Sequence, residues 1–248
     1  MTYISPFVNN FNIPNIGFRS NPAGVFIGNN TKADSFATNP LYQDLNNKTA
    51  IENLAKSSPN IRQILKENKI PLKINMKELN SLQKGHLMDT RVVSAKMYSA
   101  LPLELKQQVN LPDLQEAAML HDFGKVLIPD NILNKKGQLN SEEKEIMKLH
   151  SELGYELLKQ KGIKPEVLNL VKYHHQTLKG DGYPVVANNY QHDISSQILN
   201  VADKYSALRE ARSYKLAMTK EEAINIIHED VDRGLISEDV FNALLKTS

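Results

Sequence analysis

The stretch LPDLQEAAMLHDFGK, residues 111–125, joins a helical pattern to a histidine and a carboxylate. Pro112 stands near a helix start, where its missing N–H costs nothing, and an apolar run follows at residues 117–120. His121 and Asp122 come where this run ends. The stretch therefore predicts a helix whose last turn presents two polar, metal-binding side chains beside the core.

Helical signals extend over most of the chain. Residues 140–162 begin with Asn140 and Glu143 in the spacing of a capping box and end at Gly162, a common helix terminator. Further helical patterns lie at residues 49–70, 76–102, 165–175, 194–212, 219–230 and 237–246. No segment is typical of a pair of β-strands, and the sequence contains no internal repeat. The fold class predicted from these patterns is all-α.

The first 49 residues differ from the rest of the chain. The first fifty contain ten asparagines and four prolines, with almost no charge before Lys32. No helical or alternating period persists, so residues 1–49 are predicted to form a poorly ordered, flexible arm. Residues 50–75 are predicted to be a short helical linker, and residues 76–248 a helical domain.

Composition excludes several classes of function. The 248-residue chain has a net charge of +2, which does not favour polymeric nucleic acid or an anionic membrane as partner. It contains no cysteine, so disulfides, zinc–thiolate sites and iron–sulfur clusters are excluded and any metal site must use histidine and carboxylate. No apolar run is long enough for a signal peptide or a membrane span, and a cytoplasmic protein is expected.

Histidine and aspartate residues recur beside the apolar stripes of four predicted helices. These residues are His121, Asp122, His150, His174, His175 and Asp203. A single histidine on a helix is more often structural than functional, but in a bundle the stripes converge and their polar edges converge with them. Adjacent helical residues point about 100° apart, so the neighbouring histidines would serve different ions. Two ions bridged by a carboxylate can hold a bridging hydroxide and position a phosphate for in-line attack.

These motifs resemble the HD-GYP subgroup of the HD-domain phosphohydrolases. The matching residues are HDFGKVLIPDNILNKKGQL (121–139), His150, HHQTLKGDGYP (174–184) and ILNVADKYSALREARSYK (198–215). The resemblance extends from about residue 80 to the C-terminus. It implies an HD-domain helical bundle with an HD-GYP C-terminal extension.

The resemblance also implies an activity. Members of this subgroup hydrolyse cyclic di-GMP to linear pGpG or on to GMP, with a metal-bridging hydroxide attacking phosphorus. They bind two or three divalent metals, often iron or manganese. Cyclic di-GMP is thus the expected substrate, and diguanylate cyclase (GGDEF) proteins are expected partners of the Gly-Tyr-Pro loop, which contains Gly182, Tyr183 and Pro184.

A set of site residues follows from the same resemblance. The implied metal ligands are His121, Asp122, His150, His174, His175 and Asp203, together with Asp89 at the position of an upstream histidine. The implied catalytic residues are Asp122 and Lys125, whose ammonium group would reach a phosphate oxygen. The implied substrate-binding residues are Lys125, Lys179, Gly182, Tyr183, Arg212 and Lys215.

Several positions depart from the family pattern. Asp89 remains a competent oxygen ligand, and His86 shares its helical face and could substitute for the usual histidine. Gly85 replaces a glutamate that accompanies a third metal, so two metals are predicted rather than three. Gln176 replaces a glutamate, which would weaken cation binding modestly. Lys179 replaces an acidic or amide residue and would either repel a cation or help to hold the phosphates.

Two alternatives remain open from the sequence. The altered positions favour a binding or adaptor module that keeps the fold and has little turnover in cyclic di-GMP signalling. A second alternative keeps catalysis but acts on another nucleotide or phosphate ester. Metal content separates the adaptor from the enzyme, and turnover of cyclic di-GMP separates the two enzymes.

Overall fold

The computed structural model of the protein describes residues 18–20, 26–28, 44–78, 85–186, 191–210 and 217–247. The chain separates into two compact units, Met1–Tyr42 and Gln43–Ser248. Among the described residues of the second unit, the α-helices with defined ends are α1 (Lys48–Ser57), α2 (Pro59–Glu67), α3 (His86–Ala100), α4 (Leu103–Lys106), α5 (Leu111–Leu120), α6 (Asp130–Leu133), α7 (Ser141–Lys159), α8 (Pro165–Tyr173), α9 (Ile194–Arg209), α10 (Lys220–Asp232) and α11 (Glu238–Leu245). The described residues also form two 3-10 helices, Asp44–Asn46 and Phe123–Leu127. The helical fold class is confirmed.

The first unit contains a short hairpin that the sequence patterns did not predict. Strand β1 (Phe18–Ser20) pairs antiparallel with β2 (Phe26–Gly28), with Arg19 opposite Ile27. Strands of three residues are too short to show a clear alternation of apolar and polar side chains, so the sequence pattern does not indicate them. The predicted flexibility of the arm otherwise concerns residues outside those described, and the predicted domain limits stay a prediction.

Local side-chain chemistry fixes the ends of the long helices. Asn140 Oδ1 accepts a 2.8 Å hydrogen bond from the main-chain N–H of Glu143, whose carboxylate accepts one of the same length from the N–H of Asn140. This predicted capping box is confirmed, and Thr219 and Glu222 form a second one at the start of α10. Gly162 follows α7 with φ of 70°, a left-handed conformation that favours glycine.

Packing of the central helices brings their polar edges together. Helix α3 packs against α5, α9 and α11, while α7 packs against α8 and the 3-10 helix Phe123–Leu127. Fully buried leucine, isoleucine and valine side chains fill the space between them, among them Leu114, Leu153, Leu157, Val171 and Ile198. The C-terminal ends of α5 and α8 and the middles of α7 and α9 therefore meet around one interior region.

The 3-10 helix and α7 approach each other closely through two glycines. A Cβ atom placed on Gly124 would lie 1.9 Å from the carbonyl oxygen of His150 and 2.4 Å from the main-chain nitrogen of Gly154. No side chain larger than hydrogen fits at residue 124. This contact places the turn that follows α5 directly against the main chain of His150 in α7.

Within the described part of the chain, no helix combines the length and the apolar character that crossing a membrane would require.

Candidate metal centre

Seven histidine and aspartate side chains converge inside the helical unit. They form two groups, within each of which one potential ligand atom per residue lies within 4.8 Å of the others. The histidine–aspartate group contains His86, His121, Asp122 and Asp203, and the three-histidine group contains His150, His174 and His175. Six of the seven predicted ligands are therefore brought together, and His86 joins them. The neighbouring His174 and His175 lie in the same group, which contradicts the prediction that they would serve different ions. The helix ends at Tyr173 and His175 lies beyond it, so the angular offset of adjacent helical residues does not apply to this pair.

Three of the imidazole rings are held by their own helices. In His121, His150 and His174, Nδ1 lies between 2.7 and 3.0 Å from the carbonyl oxygen of the residue three positions earlier. An Nδ1–H that donates to this oxygen fixes the tautomer and the orientation of the ring. Nε2 is then the atom that each ring presents to the interior.

The three-histidine group is neutral. Nε2 of His150 lies 3.3 Å from Nε2 of His174 and 3.2 Å from Nε2 of His175. Burial lowers the pKa of His150 to about 4 and that of His175 to about 3, and it lowers the pKa of His174 well below its ordinary value. Neutral imidazole is the form that binds a transition metal, so the rings need lose no proton to do so.

In the histidine–aspartate group, His121 lies between two carboxylates. Nε2 of this buried ring has no hydrogen-bond partner among the described residues and lies 3.5 Å from both Asp122 Oδ2 and Asp203 Oδ1. Burial opposes a charge on His121, but the two carboxylates outweigh it and raise its pKa to about 10. Nε2 of His86 lies 2.8 Å from Asp203 Oδ1 and 3.6 Å from Asp122 Oδ2. The group thus attracts positive charge at its centre.

Asp122 connects the two groups. Its Oδ2 faces His121, whereas its Oδ1 lies 3.4 Å from Nε2 of His150. The same carboxylate accepts a 2.6 Å hydrogen bond from Nζ of Lys125. Burial would raise the pKa of Asp122, but Lys125 and the histidines hold it well below its ordinary value. This ionised carboxylate directs one oxygen toward each group. A ligand that bridges two cations would be expected to lie in this way.

The donor atoms fit divalent transition metals. Imidazole nitrogen and carboxylate oxygen without sulfur suit iron, manganese or zinc. The side chains of His86, His121, Asp122 and His150 are at most 3% exposed. Exposure rises to 12% at Asp203, 17% at Lys125 and 24% at His175. The centre therefore opens to solvent on the side of these last three residues.

His86 lies in the place for which the resemblance implied Asp89. It begins α3, is buried and belongs to the histidine–aspartate group, whereas Asp89 belongs to neither group. Burial and the nearby carboxylate of Glu210 raise the pKa of Asp89, which disfavours its ionised, cation-binding form. The assignment of Asp89 as a ligand stays a prediction. The three-residue spacing, which puts both side chains on one helical face, is the signal that identifies His86.

Tyr183 and Gly182 lie against the three-histidine group. The ring of Tyr183 stacks on that of His175, with centroids 4.5 Å apart and planes inclined by 29°. A Cβ atom on Gly182 would lie 2.1 Å from the carbonyl oxygen of His175, so this close approach requires glycine. Burial raises the pKa of Tyr183, and its hydroxyl stays protonated. Both residues are thus at the opening of the centre.

The remaining predicted substrate-binding residues are placed differently. Lys179 is exposed, and its side chain lies against Gly234 in the turn after α10. The two alternatives for Lys179 assumed that its ammonium group faces the metals, whereas the contact with Gly234 directs it to this turn. Arg212 and Lys215 lie outside the described residues, and their roles stay a prediction.

Metal uptake by the metal-free protein is expected to release protons. His121 is protonated on both ring nitrogens and positively charged at neutral pH because its pKa is about 10, while the three-histidine group is neutral. Binding at about pH 8 should release about one proton per chain, because a ligand imidazole must lose the proton on Nε2. Isothermal titration in buffers of different ionisation enthalpy measures this number. Uptake without proton release would contradict the protonation state of His121.

Comparison with known proteins places these features in a family. A family model described as HD domain matches residues 65–238. A cyclic di-GMP phosphodiesterase of Thermotoga maritima is 38% identical over 141 residues, which are 56% of this chain and 38% of that protein. A 3'3'-cGAMP-specific phosphodiesterase of Vibrio cholerae is 31% identical over 155 residues, which are 62% of this chain and 36% of that protein. The chain spans little more than a third of the length of these relatives.

A solved structure shares the fold. The HDG"Y"P protein Bd1817 of Bdellovibrio bacteriovorus superposes with a TM-score of 0.54 at 17% sequence identity. The superposition covers 86% of this chain and 66% of that chain. At this level of identity the likeness concerns the arrangement of helices alone.

Proposed function

The chain belongs to the HD-domain family, and we propose that it is a metal-dependent phosphodiesterase that hydrolyses a cyclic dinucleotide, with cyclic di-GMP as its substrate. Relatives named cyclic di-GMP phosphodiesterases support the substrate class. The two adjacent ligand groups support the reaction class, because paired cations suit the hydrolysis of phosphate esters. The proposed products are linear pGpG, GMP or both.

The position of Asp122 is the observation that carries this proposal. Its two oxygens face different sets of histidines, with Oδ2 3.5 Å from His121 and Oδ1 3.4 Å from His150. A single cation site would not need a carboxylate in this position. Two cations that share this carboxylate would lie close enough to contact one phosphate together.

The residues of the chain have separate tasks in this reaction. Two divalent cations, when bound, would activate a water molecule and offset the negative charge that develops on the phosphate. Lys125 lies at the opening and now pairs with Asp122, so its ammonium group is within reach of a phosphate oxygen beside that carboxylate. Tyr183 forms one wall of the opening, where its ring and protonated hydroxyl would orient the substrate.

The proposed metal content is two ions of iron or manganese. His86, His121 and Asp203 would hold one ion, and the three-histidine group would hold the other, with Asp122 shared between them. Oxygen and nitrogen donors without thiolate favour these metals over copper(I). Gly85 stands where a glutamate would be needed for a third ion, so a third ion is not proposed.

A second substrate has an independent argument. One relative is named a 3'3'-cGAMP-specific phosphodiesterase, and it matches a larger share of this chain than the Thermotoga protein does. Both molecules contain the same type of phosphodiester ring and differ in one purine base. The metal centre would treat them alike, and any preference would come from residues that contact the bases.

Turnover assays test the proposal directly. Protein purified without chelators is supplied with Mn²⁺ or Fe²⁺ and incubated with cyclic di-GMP or, separately, with 3'3'-cGAMP, and the products are separated by chromatography. We expect about two ions per chain and faster loss of cyclic di-GMP. Fewer than about one ion per chain would contradict the metal-dependent reaction. Faster turnover of 3'3'-cGAMP would reassign the substrate.

The adaptor alternative predicts a different result in the same assay. Such a protein would bind the ions and the cyclic dinucleotide without cleaving it.

The exposed side of the Gly-Tyr-Pro loop, where Val185 is 93% exposed, is the surface on which we place a diguanylate cyclase partner. Binding of a purified GGDEF protein that is lost on replacing Val185 by aspartate would support that assignment.

A further inference from the structure

Gln176 follows the two adjacent histidines and is completely buried. Its side-chain oxygen accepts a 3.2 Å hydrogen bond from the main-chain N–H of Gly182, and its side-chain NH₂ donates to the carbonyl oxygen of Pro184. These partners fix the orientation of the amide, because the N–H can only donate and the carbonyl can only accept. Gln176 thus bonds to the loop on both sides of Tyr183.

The loop that Gln176 holds carries Tyr183 onto the metal centre. The main-chain N–H of Tyr183 donates a 3.4 Å hydrogen bond to the carbonyl oxygen of His175, in an isolated antiparallel bridge. The absence of a side chain at Gly182 permits this approach. The stacking of the Tyr183 ring on His175 therefore depends on the loop staying closed against residues 175 and 176.

His175 is the member of the three-histidine group that reaches solvent. Its side chain is 24% exposed even beneath Tyr183, whereas the side chain of His150 is 2% exposed and His174 as a whole residue is fully buried. Within this group solvent therefore reaches the ligands at His175, and the ring of Tyr183 stacks on that residue.

A second amide holds the histidines independently of the loop. The side-chain NH₂ of Asn200 donates to the carbonyl oxygens of His174, at 2.8 Å, and Gln176, at 3.2 Å. These bonds use the main chain of Gln176 and not its side chain. Removing the Gln176 amide therefore opens the loop without releasing the main chain that carries the two ligands.

We propose that Gln176 is a positioning residue that locks the Gly-Tyr-Pro loop, so that Tyr183 covers His175 and restricts access to the three-histidine group. The role follows from an amide that accepts on one side and donates on the other, which an ionised glutamate cannot do. Gln176 thus acts through the loop, and not through the charge that it removes from the site. This inference rests on the proposed function for the identity of the bound group as divalent cations.

Release of a spectroscopically visible metal tests the proposal. The full chain is loaded with Co²⁺, mixed with excess EDTA, and followed by the visible absorption of the bound ion. Gln176→Met keeps the volume of the side chain and removes both hydrogen bonds. We expect it to accelerate release by about tenfold, as the loss of a buried hydrogen bond would allow, while the initial metal content equals that of the parent protein.

Gln197→Met is the matched control. Gln197 is also a buried glutamine whose amide donates to one main-chain carbonyl, of His192, and accepts from one main-chain N–H, of Ser237. Its loss should lower the thermal stability to a similar extent and leave the rate of metal release at the parent value. Equal acceleration by both variants would mean that general loosening of the fold, and not the loop, sets the rate.

A double variant shows whether Gln176 acts through Tyr183. Tyr183→Ala alone should release the metal faster, and Gln176→Met combined with Tyr183→Ala should be no faster than Tyr183→Ala. Additive effects, or a parent rate in Gln176→Met, would overturn the proposal. If the parent protein fails to bind Co²⁺, both this proposal and the proposed function are overturned. If Gln176→Met accelerates release but the parent protein does not hydrolyse cyclic dinucleotides, only the proposed function is overturned.

Discussion

Replacing Asp122 by asparagine is expected to remove the two proposed cations and to lower the proposed turnover of the cyclic dinucleotide by about a hundredfold to several thousandfold. The substitution keeps the shape of the side chain but removes the charge that His121, His150 and Lys125 share. Leaving one partner of a buried charge pair alone costs about 3–5 kcal/mol, which corresponds to rate or affinity factors of this size. Metal analysis and product chromatography on the same preparation measure both effects.

Asp113 provides the matched control for this substitution. It is a buried aspartate on α5, the helix that precedes Asp122, and it accepts a 2.7 Å hydrogen bond from Nζ of Lys164. Asp113→Asn should destabilise the protein without changing the metal content or the turnover per folded molecule. Full occupancy by two ions in Asp122→Asn would show that the bridging role of Asp122 is wrong.

Gly124→Ala is expected to lower the free energy of unfolding by about 3 kcal/mol, the upper range for overpacking a core. The new methyl group would meet the main chain of His150 at 1.9 Å and that of Gly154 at 2.4 Å, and main-chain atoms cannot rotate away as a side chain can. For a chain of this size, a loss of this magnitude lowers the midpoint of thermal unfolding by about 6–12 °C. Calorimetry or circular dichroism on the metal-free protein measures it.

Gly154→Ala separates a steric effect from a general sensitivity of α7 to alanine. A Cβ atom on Gly154 would lie 3.1 Å from the nitrogen of Gly124, a tight contact that a shift of a few tenths of an ångström relieves. Alanine also favours the helical conformation by about 1 kcal/mol over glycine. The cost at residue 154 should therefore be much smaller. Similar losses at both positions would contradict the contact described between the 3-10 helix and α7.

The helices were predictable because their signals are local. The capping residues Asn140 and Thr219 lie next to the segments that they begin, and Pro165 lies at the first turn of α8, so a short window of sequence is sufficient. The six predicted ligands that converge were predictable for a related reason. Each lies beside an apolar stripe, and stripes meet in a bundle whichever way the helices cross.

Residues whose roles depend on tertiary contacts were not predictable in the same way. His86 and Asp89 lie on one face of α3 about one turn apart, so the choice between them depends on the position of the helix along its axis, which the sequence does not fix. In the sequence, Gln176 in place of a glutamate indicates the loss of a negative charge. In the structure, its amide forms hydrogen bonds with main-chain groups six and eight residues away. Lys179 likewise contacts Gly234, more than fifty positions later, and no local pattern contains that information.

The anchoring of three imidazole rings to the carbonyl oxygens of their own helices has a consequence for affinity. His121, His150 and His174 lose their rotational freedom when the helices form, before any cation arrives. Ordering a free side chain costs up to about 1.5–2 kcal/mol of conformational entropy, and here that loss belongs to folding. Binding of a cation would then not require this loss, so the folded protein would bind the cation with higher affinity.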